Sequence, residues 1–333
     1  MLAMVLRRPA PAASGPLEAA DLPDPAPGEG EIVLEVAACA VCRTDLQLCE
    51  GDLVARRLPV IPGHQAVGRV AAVGPGARGW REGDRAGAYW LAGADGTCRH
   101  CRAGRENLCE RAAFTGWDRD GGFAERLLVR AEYAARLPEG PADVALAPLR
   151  CGGVIGHRAL RLTGIRPGGR LGLYGFGASA LCTIQVAVHM GCEVAVATRS
   201  EAERERARSL GAAWTGSYAD RPPWPLDAAI TFAPAGDVVA AALAAVDRGG
   251  TVAVNAIHLD RLPEMPYEAL WWERSLRSVA NVTRADAAEF LELAAEIPVR
   301  TAVEEHPLED ANLALARLAA GEVRGAAVLT APR

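Results

Sequence analysis

Arg170-Leu171-Gly172-Leu173-Tyr174-Gly175-Phe176-Gly177-Ala178-Ser179-Ala180 is a short apolar strand pattern that runs into a glycine turn and then into a helix pattern reaching Met190. Glycine at 175 and 177 permits a tight turn and lets the backbone approach a pyrophosphate closely. The helix that opens at Ala178 offers free N–H groups and the positive end of its dipole. A glycine pattern alone is weak evidence in a chain with 35 glycines, so its neighbours decide. Strand patterns over 193–198, 227–232 and 251–255 alternate with helix patterns over 201–210 and 237–246, and Gly249-Gly250 marks a turn before the last strand. Strands alternating with helices of this length predict a doubly wound, Rossmann-type parallel sheet over residues 154–285. Gly175, Phe176, Gly177, Ala178 and Ser179 are then its dinucleotide-phosphate residues.

About 20 residues past such a turn, an NAD site places an acidic residue against the ribose 2′-hydroxyl. This chain has Thr198-Arg199-Ser200 there, and no carboxylate. A guanidinium beside hydroxyls suits a 2′-phosphate, which Arg can grip with forked, charge-assisted hydrogen bonds. NADP(H) is therefore expected over NAD(H). The competing possibility is that Arg199 merely opens a solvated, charged helix beside Glu201 and Arg204.

Upstream, residues 1–150 have a different texture. Short strand patterns such as 32–36 and 68–73 are punctuated by Pro-Gly, Gly-Asp and Gly-Gly turns, which predicts a β-rich, barrel-like domain. Two amphipathic helix patterns, 285–296 and 308–320, and a last strand, 326–330, close the chain and are expected to return to that first domain. The division expected is 1–153 with 286–333 for the β-rich domain and 154–285 for the nucleotide domain.

The 333 residues suffice for two cores, and 50% hydrophobic with 23% charged residues is a globular balance. A formal net charge of −5 argues against a nucleic-acid or anionic-membrane partner. Every basic residue is arginine, so lysine Schiff bases, phosphate-loop lysines and lysine general bases are excluded. No apolar run approaches the ~20 residues of a spanning helix, and the N-terminal stretch lacks a signal-peptide core. Nine cysteines suit a reducing compartment better than a disulfide framework. A cytoplasmic location is expected.

Three of those cysteines share one loop with a carboxylate: Asp95, Cys98, Cys101 and Cys109 stand at spacings of three, three and eight. A closed tetrahedral zinc site is the expected use of such a set, and it would brace the loop without performing chemistry. Ordinary packed thiols are the alternative. An iron–sulfur cluster is disfavoured, because Glu110 and not Pro follows Cys109 and a fourth Cys is missing. A second set, Cys42, His64 and Cys151, is scattered in sequence but can converge. Two thiolates and one imidazole would leave the fourth position of a zinc open to water or substrate.

Several segments in order carry a family likeness: Cys39-Ala-Val-Cys42-Arg-Thr-Asp45, Pro62-Gly63-His64-Gln65 with Gly68, Gly83-Asp84-Arg85, the zinc loop ending at Cys109, Gly121-Gly-Phe-Ala-Glu125, Cys151-Gly-Gly-Val154 and Ile155-Gly-His-Arg-Ala-Leu160. Over nearly its whole length the chain resembles the zinc-dependent medium-chain alcohol dehydrogenases, in a bacterial branch of that superfamily. The resemblance implies a GroES-like catalytic domain plus a Rossmann domain and two zinc ions per chain. It implies a small-molecule alcohol, aldehyde or ketone as substrate, and a homo-oligomer, dimer or tetramer. Cys42, His64 and Cys151 would hold the catalytic zinc. Thr44 would pass the alcohol proton, and Asp45 would orient His64. Arg43 and Arg284 would reach the cofactor pyrophosphate, and Leu53, Trp90 and Trp117 would line the pocket. The metal would acidify an alcohol hydroxyl or polarise a carbonyl while hydride moves to or from the nicotinamide.

Three positions depart from the family pattern. Asp95 replaces the first structural Cys, for which a weaker zinc is expected. Gln47 stands where many relatives carry a relay His, so proton exit through water is expected. Gln65 replaces a Glu beside the zinc histidine, which leaves the metal site more positive. Two rival activities follow from the same fold: a zinc-free quinone or enone reductase, against which all three ligands argue, and a zinc or redox sensor without turnover, against which the intact Thr44 argues.

Overall fold

Two neighbouring strands set the geometry of the first unit. Glu31–Ala40 buries Ile32, Leu34 and Val36, and it pairs antiparallel with Gln65–Val73 so that Ala40 faces Gln65. The same strand takes Arg126–Arg130 along its first half and Ala326–Thr330 beside its end, all antiparallel. Val303–Pro307, Arg85–Gly87 and Ala135–Arg136 complete a seven-stranded sheet. The chain's last strand is thus hydrogen-bonded into the β-rich unit. Leu6, Ile32, Leu34, Leu46, Phe123 and Leu127 are among its fully buried side chains, each worth about 1.5–3 kcal/mol of transfer free energy.

These elements come from a computed structural model, which describes residues 1–331 except His258 and Pro298. The chain divides into one unit of Met1–Cys151, Asn281–Leu291 and the residues from Arg300 on, and another of Gly152–Ala280 and Glu292–Val299. The return to the first unit therefore begins at Asn281, earlier than 286, where Val282 and Thr283 are already buried.

The second unit is a six-stranded parallel sheet. Its spatial order is Trp214–Gly216, Glu193–Ala197, Arg170–Tyr174, Leu226–Thr231, Val246–Val254 and Ser275–Ser278. In chain order that is third, second, first, fourth, fifth, sixth, the doubly wound order of dinucleotide domains, whose ligands bind where the order reverses. The reversal lies between Arg170–Tyr174 and Leu226–Thr231, and Gly175 sits at that place. Helix Gly152–Thr163 packs on helix Ala178–His189, with Gly156 set so close to Thr183 that a Cβ there would come within 2.2 Å of the hydroxyl.

Two expected boundaries shift. The strand expected at 251–255 starts at Val246, directly after helix Gly236–Ala245, and absorbs Gly249-Gly250 through a register shift against Leu226–Ala228. The helix expected at 308–320 is a 3-10 turn, Leu308–Asp310, followed by Ala311–Ala320. Among the described residues no helix is long and apolar enough to cross a membrane.

Candidate active site

Strand register explains how Cys42 and His64 meet. Cys42 lies two residues beyond Ala40 and His64 one residue before Gln65, the two ends of the paired strands. Cys151 follows the 3-10 turn Ala147–Arg150, which packs on the same strands. One candidate ligand atom from each of Cys42, His64 and Cys151 lies within 4.8 Å of the others.

Asp45 organises this trio. It is the third residue of helix Arg43–Glu50 and is 3% exposed. One carboxylate oxygen accepts the Cys42 backbone N–H at 2.9 Å. The other accepts His64 Nδ1–H at 3.0 Å and the Gly63 N–H at 3.2 Å. An ionised carboxylate can only accept, so Nδ1 carries a proton and Nε2 is the ring nitrogen left to face a metal. That Nε2 is buried and has no hydrogen-bond partner. A buried ring nitrogen without a partner, set among thiols and able to exchange its proton for a metal, is what a zinc-binding imidazole requires, and the residues fit a zinc ion with one position left over. Gly63 makes the turn possible: its φ is +94°, and a Cβ would lie 2.4 Å from the Phe123 ring.

Titration behaviour agrees with that chemistry. Burial lowers the pKa of His64, but the Asp45 charge and hydrogen bond, helped by Cys42, outweigh it and push it up to about 10. Contact with the Cys151 thiol, and then with His64, holds the Cys42 thiol well below its ordinary value in spite of burial. The metal-free site therefore keeps a proton where a divalent cation would sit.

Around the trio, the Thr44 hydroxyl lies 3.8 Å from Cys42 Sγ. Gln47 is buried and its Oε1 has no partner, while Gln65 donates its amide to the Ala40 carbonyl at 3.2 Å. Arg43 is exposed on the same helix. Trp90 stands beside the trio with its ring centroid 6.1 Å from that of His64. Leu53 and Trp117 pack against the core of the unit. Arg150, next to Cys151, is 1% exposed, and its three nitrogens lack hydrogen-bond partners. Its guanidinium instead lies 3.9 Å from the centre of the Tyr89 ring. Neither this guanidinium nor the neighbourhood of Trp90 and His64 is visible in sequence, because nothing in spacing signals side chains brought together by distant segments.

The second candidate set, Asp95, Cys98, Cys101 and Cys109, also brings its ligand atoms within 4.8 Å of one another. It occupies the excursion between the paired strands Leu91–Gly93 and Ala113–Phe114. Backbone N–H groups point at the sulfurs: Cys101 to Cys98 at 3.4 Å, Asp95 and Arg111 to Cys109 at 3.5 and 3.3 Å. Asp95 accepts the N–H groups of Thr97 and Cys98 at 2.8 and 2.9 Å, and these bonds hold its carboxyl well below the usual range. A carboxylate kept ionised beside three thiols fits a closed zinc site.

In the nucleotide unit, Gly175 has φ +92° and lies so close to Ala233 that a Cβ would meet its nitrogen at 2.9 Å. Gly177 precedes helix Ala178–His189, and a Cβ there would meet nothing within 4 Å. The backbone of Gly177, Ala178 and Ser179 thus offers an open cradle for a pyrophosphate. At the end of the next strand, Thr198 is buried and its hydroxyl donates to Glu203, while Ser200 caps helix Glu201–Ser209 by accepting the Glu203 N–H at 3.4 Å. Arg199 is exposed. Arg284 is held by Glu106, through its backbone N–H at 3.0 Å and its guanidinium at 3.3 Å.

Residues 28–139 match the family model of the alcohol dehydrogenase GroES-like domain, and residues 178–296 that of zinc-binding dehydrogenases. The chain is 50% identical to a probable alcohol dehydrogenase, AdhA, of Mycobacterium tuberculosis, across 99% of this chain and 97% of that one. It is 33% identical to an alcohol dehydrogenase of Geobacillus stearothermophilus, across 94% and 96%. Among solved structures, that of AibC superposes with a TM-score of 0.91 at 29% identity, covering 100% of this chain and 96% of that one.

Proposed function

Given that the chain belongs to the zinc-dependent medium-chain alcohol dehydrogenases, we propose that Cys42, His64 and Cys151 hold its catalytic zinc and that Asp95, Cys98, Cys101 and Cys109 hold a second, structural one. The enzyme transfers hydride between a nicotinamide cofactor and an alcohol or its aldehyde or ketone. The observation that carries the site assignment is the buried Nε2 of His64, unpartnered beside two thiols.

When bound, the catalytic zinc supplies a Lewis acid for the C–O group of the substrate. Asp45 keeps His64 in the tautomer that presents Nε2 and anchors the helix start that carries Cys42. The Thr44 hydroxyl takes the alcohol proton and hands it on. Gln47 offers a buried carbonyl oxygen on the same helix, from which a water can carry the proton out. The Gly175–Ser179 turn binds the cofactor pyrophosphate, and Arg43 and Arg284 are further candidate cofactor residues. For Arg284 this requires exchange of its Glu106 partner.

Arg199 supports NADP(H) as the preferred cofactor, since it is an exposed guanidinium at the ribose corner. A specific observation favours NAD(H) instead: Glu203 brings a carboxylate to that corner through Thr198. The exposed rings of Tyr267, Trp271 and Trp272, beside the edge strand Ser275–Ser278, support a homo-oligomer. The thiol-rich metal sets suit the cytoplasm.

Elemental analysis of purified enzyme, combined with NADPH and NADH titrations and an aldehyde-reduction assay, tests the proposal. Two zincs per chain with cofactor-dependent turnover is the expected result. A chain that turns over alcohols while the Cys42, His64 and Cys151 set binds no metal would sink the assignment.

A further inference from the structure

The nucleotide sheet has a cavity that neither the metal sets nor the glycine turn explains. Strands Leu226–Thr231 and Val246–Val254 run parallel and begin side by side, with Leu226 opposite Val246. A cavity of about 300 Å³ opens at that corner, lined by Arg221, Trp224, Asp247 and Arg274 among others. Gly175 follows the last residue of strand Arg170–Tyr174, which runs in the same direction as Leu226–Thr231. The cavity and the pyrophosphate turn therefore lie at opposite edges of the sheet. Dinucleotides bind at the carboxyl edge, so this corner is not part of the cofactor site.

Donors in the lining outnumber their acceptors. Arg274 is fixed by main-chain carbonyls: its Nε donates to Val246 at 3.1 Å, and its Nη1 to Trp271 and Glu268 at 3.4 and 3.5 Å. Among the described residues its Nη2 has no partner, and the Arg221 side chain makes no hydrogen bond or ion pair. Trp224 packs its ring on the sheet core, yet its indole N–H is buried and has no hydrogen-bond partner. A buried donor left unmet costs about 1–3 kcal/mol. Asp247 is the lining carboxylate, and one of its oxygens accepts the Arg248 N–H at 2.8 Å. Two cations thus face one carboxylate, and the balance is positive. The loop Arg221-Pro-Pro-Trp224-Pro225 is stiffened by its prolines, each of which fixes φ near about −65°. Little ordering therefore opposes a ligand there.

We infer that this corner binds a small organic anion, a phosphate or carboxylate carried on a compact apolar body. Guanidinium and indole nitrogens are donors only, and forked Arg donors match both kinds of anion. The cavity stands at the lower end of the ~300–1,000 Å³ typical of ligand sites, which leaves room for a ring or short chain and none for a second dinucleotide. Occupation of this site is independent of the proposed zinc chemistry.

Protein loaded with zinc and saturating NADPH is titrated with phenyl phosphate, benzoate and phenol while the tryptophan indole N–H signals are followed by NMR. Trp224→Phe identifies the Trp224 signal by its loss. At least one of the two anions is expected to move that signal on wild type, and neutral phenol is expected to leave it in place, a comparison that needs no variant to fold. Tighter binding of phenyl phosphate marks the preferred anion as a phosphate ester, and tighter binding of benzoate marks it as a carboxylate. Arg221→Gln, which removes a guanidinium without a partner in the fold, is expected to weaken the tighter anion about tenfold or more at an unchanged melting temperature. A Trp224 signal that neither anion moves, a shift that phenol matches, or an affinity unaltered in folded Arg221→Gln overturns the inference. Each of these results leaves the zinc chemistry standing.

Discussion

Asp45 and His64 form a charge-assisted hydrogen bond of 3.0 Å with both side chains almost wholly removed from water, at 3% and 1% exposure. In such surroundings the carboxylate does more than orient a ring. It also holds the backbone on either side of the site, at Cys42 and at Gly63, so one side chain ties together two segments separated in sequence.

Asp45→Asn preserves the shape and removes the charge. Partners of this kind contribute about 10–100-fold to metal affinity when present. We expect zinc affinity at the trio to fall by about that range, measured by competition with a chromophoric chelator. An unchanged affinity would show that Asp45 is only a helix cap.

The metal-free chain should show a distinct pH dependence. The pKa of His64 is raised in the folded state, to about 10, so its contribution is fully present below its unfolded value of about 6.5 and is lost as pH rises through about 10. The pKa of Cys42 is lowered, so its contribution is present above an unfolded value of about 8.5 and is lost as pH falls through the folded one. Below about 8.5, where the two ranges overlap, the slopes oppose each other. Melting temperature of the metal-free enzyme is expected to fall as pH rises from about 8.5 toward 10, where only the His64 slope remains. Zinc binding near pH 7 should expel the His64 proton, seen by calorimetry as a heat that varies with the ionisation enthalpy of the buffer.

Asp95 serves two roles that substitution can separate. Asp95→Asn keeps an acceptor for the Thr97 and Cys98 N–H groups but loses the charge. We expect the loop zinc to leave to chelator faster than in wild type, while Asp95→Cys retains it longer. Zinc content after timed dialysis provides the measure.

Arg199→Ala should weaken NADPH binding about tenfold or more, the usual worth of a hydrogen bond to a charged group, and leave NADH little changed. Glu203→Gln, which removes the carboxylate bonded to Thr198, should move the ratio toward NADPH. If Arg199→Ala affects neither cofactor, the guanidinium is only a solvated helix start.

Arg150 is a buried cation whose observed compensation is the Tyr89 face. Replacing buried charge by apolar volume is often neutral or stabilising. Arg150→Leu is therefore expected to raise the melting temperature or leave it level. A marked drop would indicate an acceptor, such as a buried water, that satisfies the guanidinium.

Much of this protein is legible from local patterns. The strand, glycine turn and helix around Gly175 announce themselves because period-two and helical periodicities, and the need for φ of +92° at that glycine, are properties of consecutive residues. The Asp95, Cys98, Cys101 and Cys109 set is likewise local, since a closed metal loop takes its ligands from one short excursion. Family resemblance extended this to Cys42, His64 and Cys151.

Sequence alone thus determined the alternating sheet, the two groups of candidate metal ligands and the position of the glycine turn that opens helix Ala178–His189. Only the folded chain decided that Ala40 pairs with Gln65, which brings Cys42 to His64, that Arg284 rests on Glu106 and that Trp90 lies beside His64 and stacks on Trp117. The physical reason is that these relations depend on strand register and on loops far apart in sequence, and only the packing of the whole unit sets them.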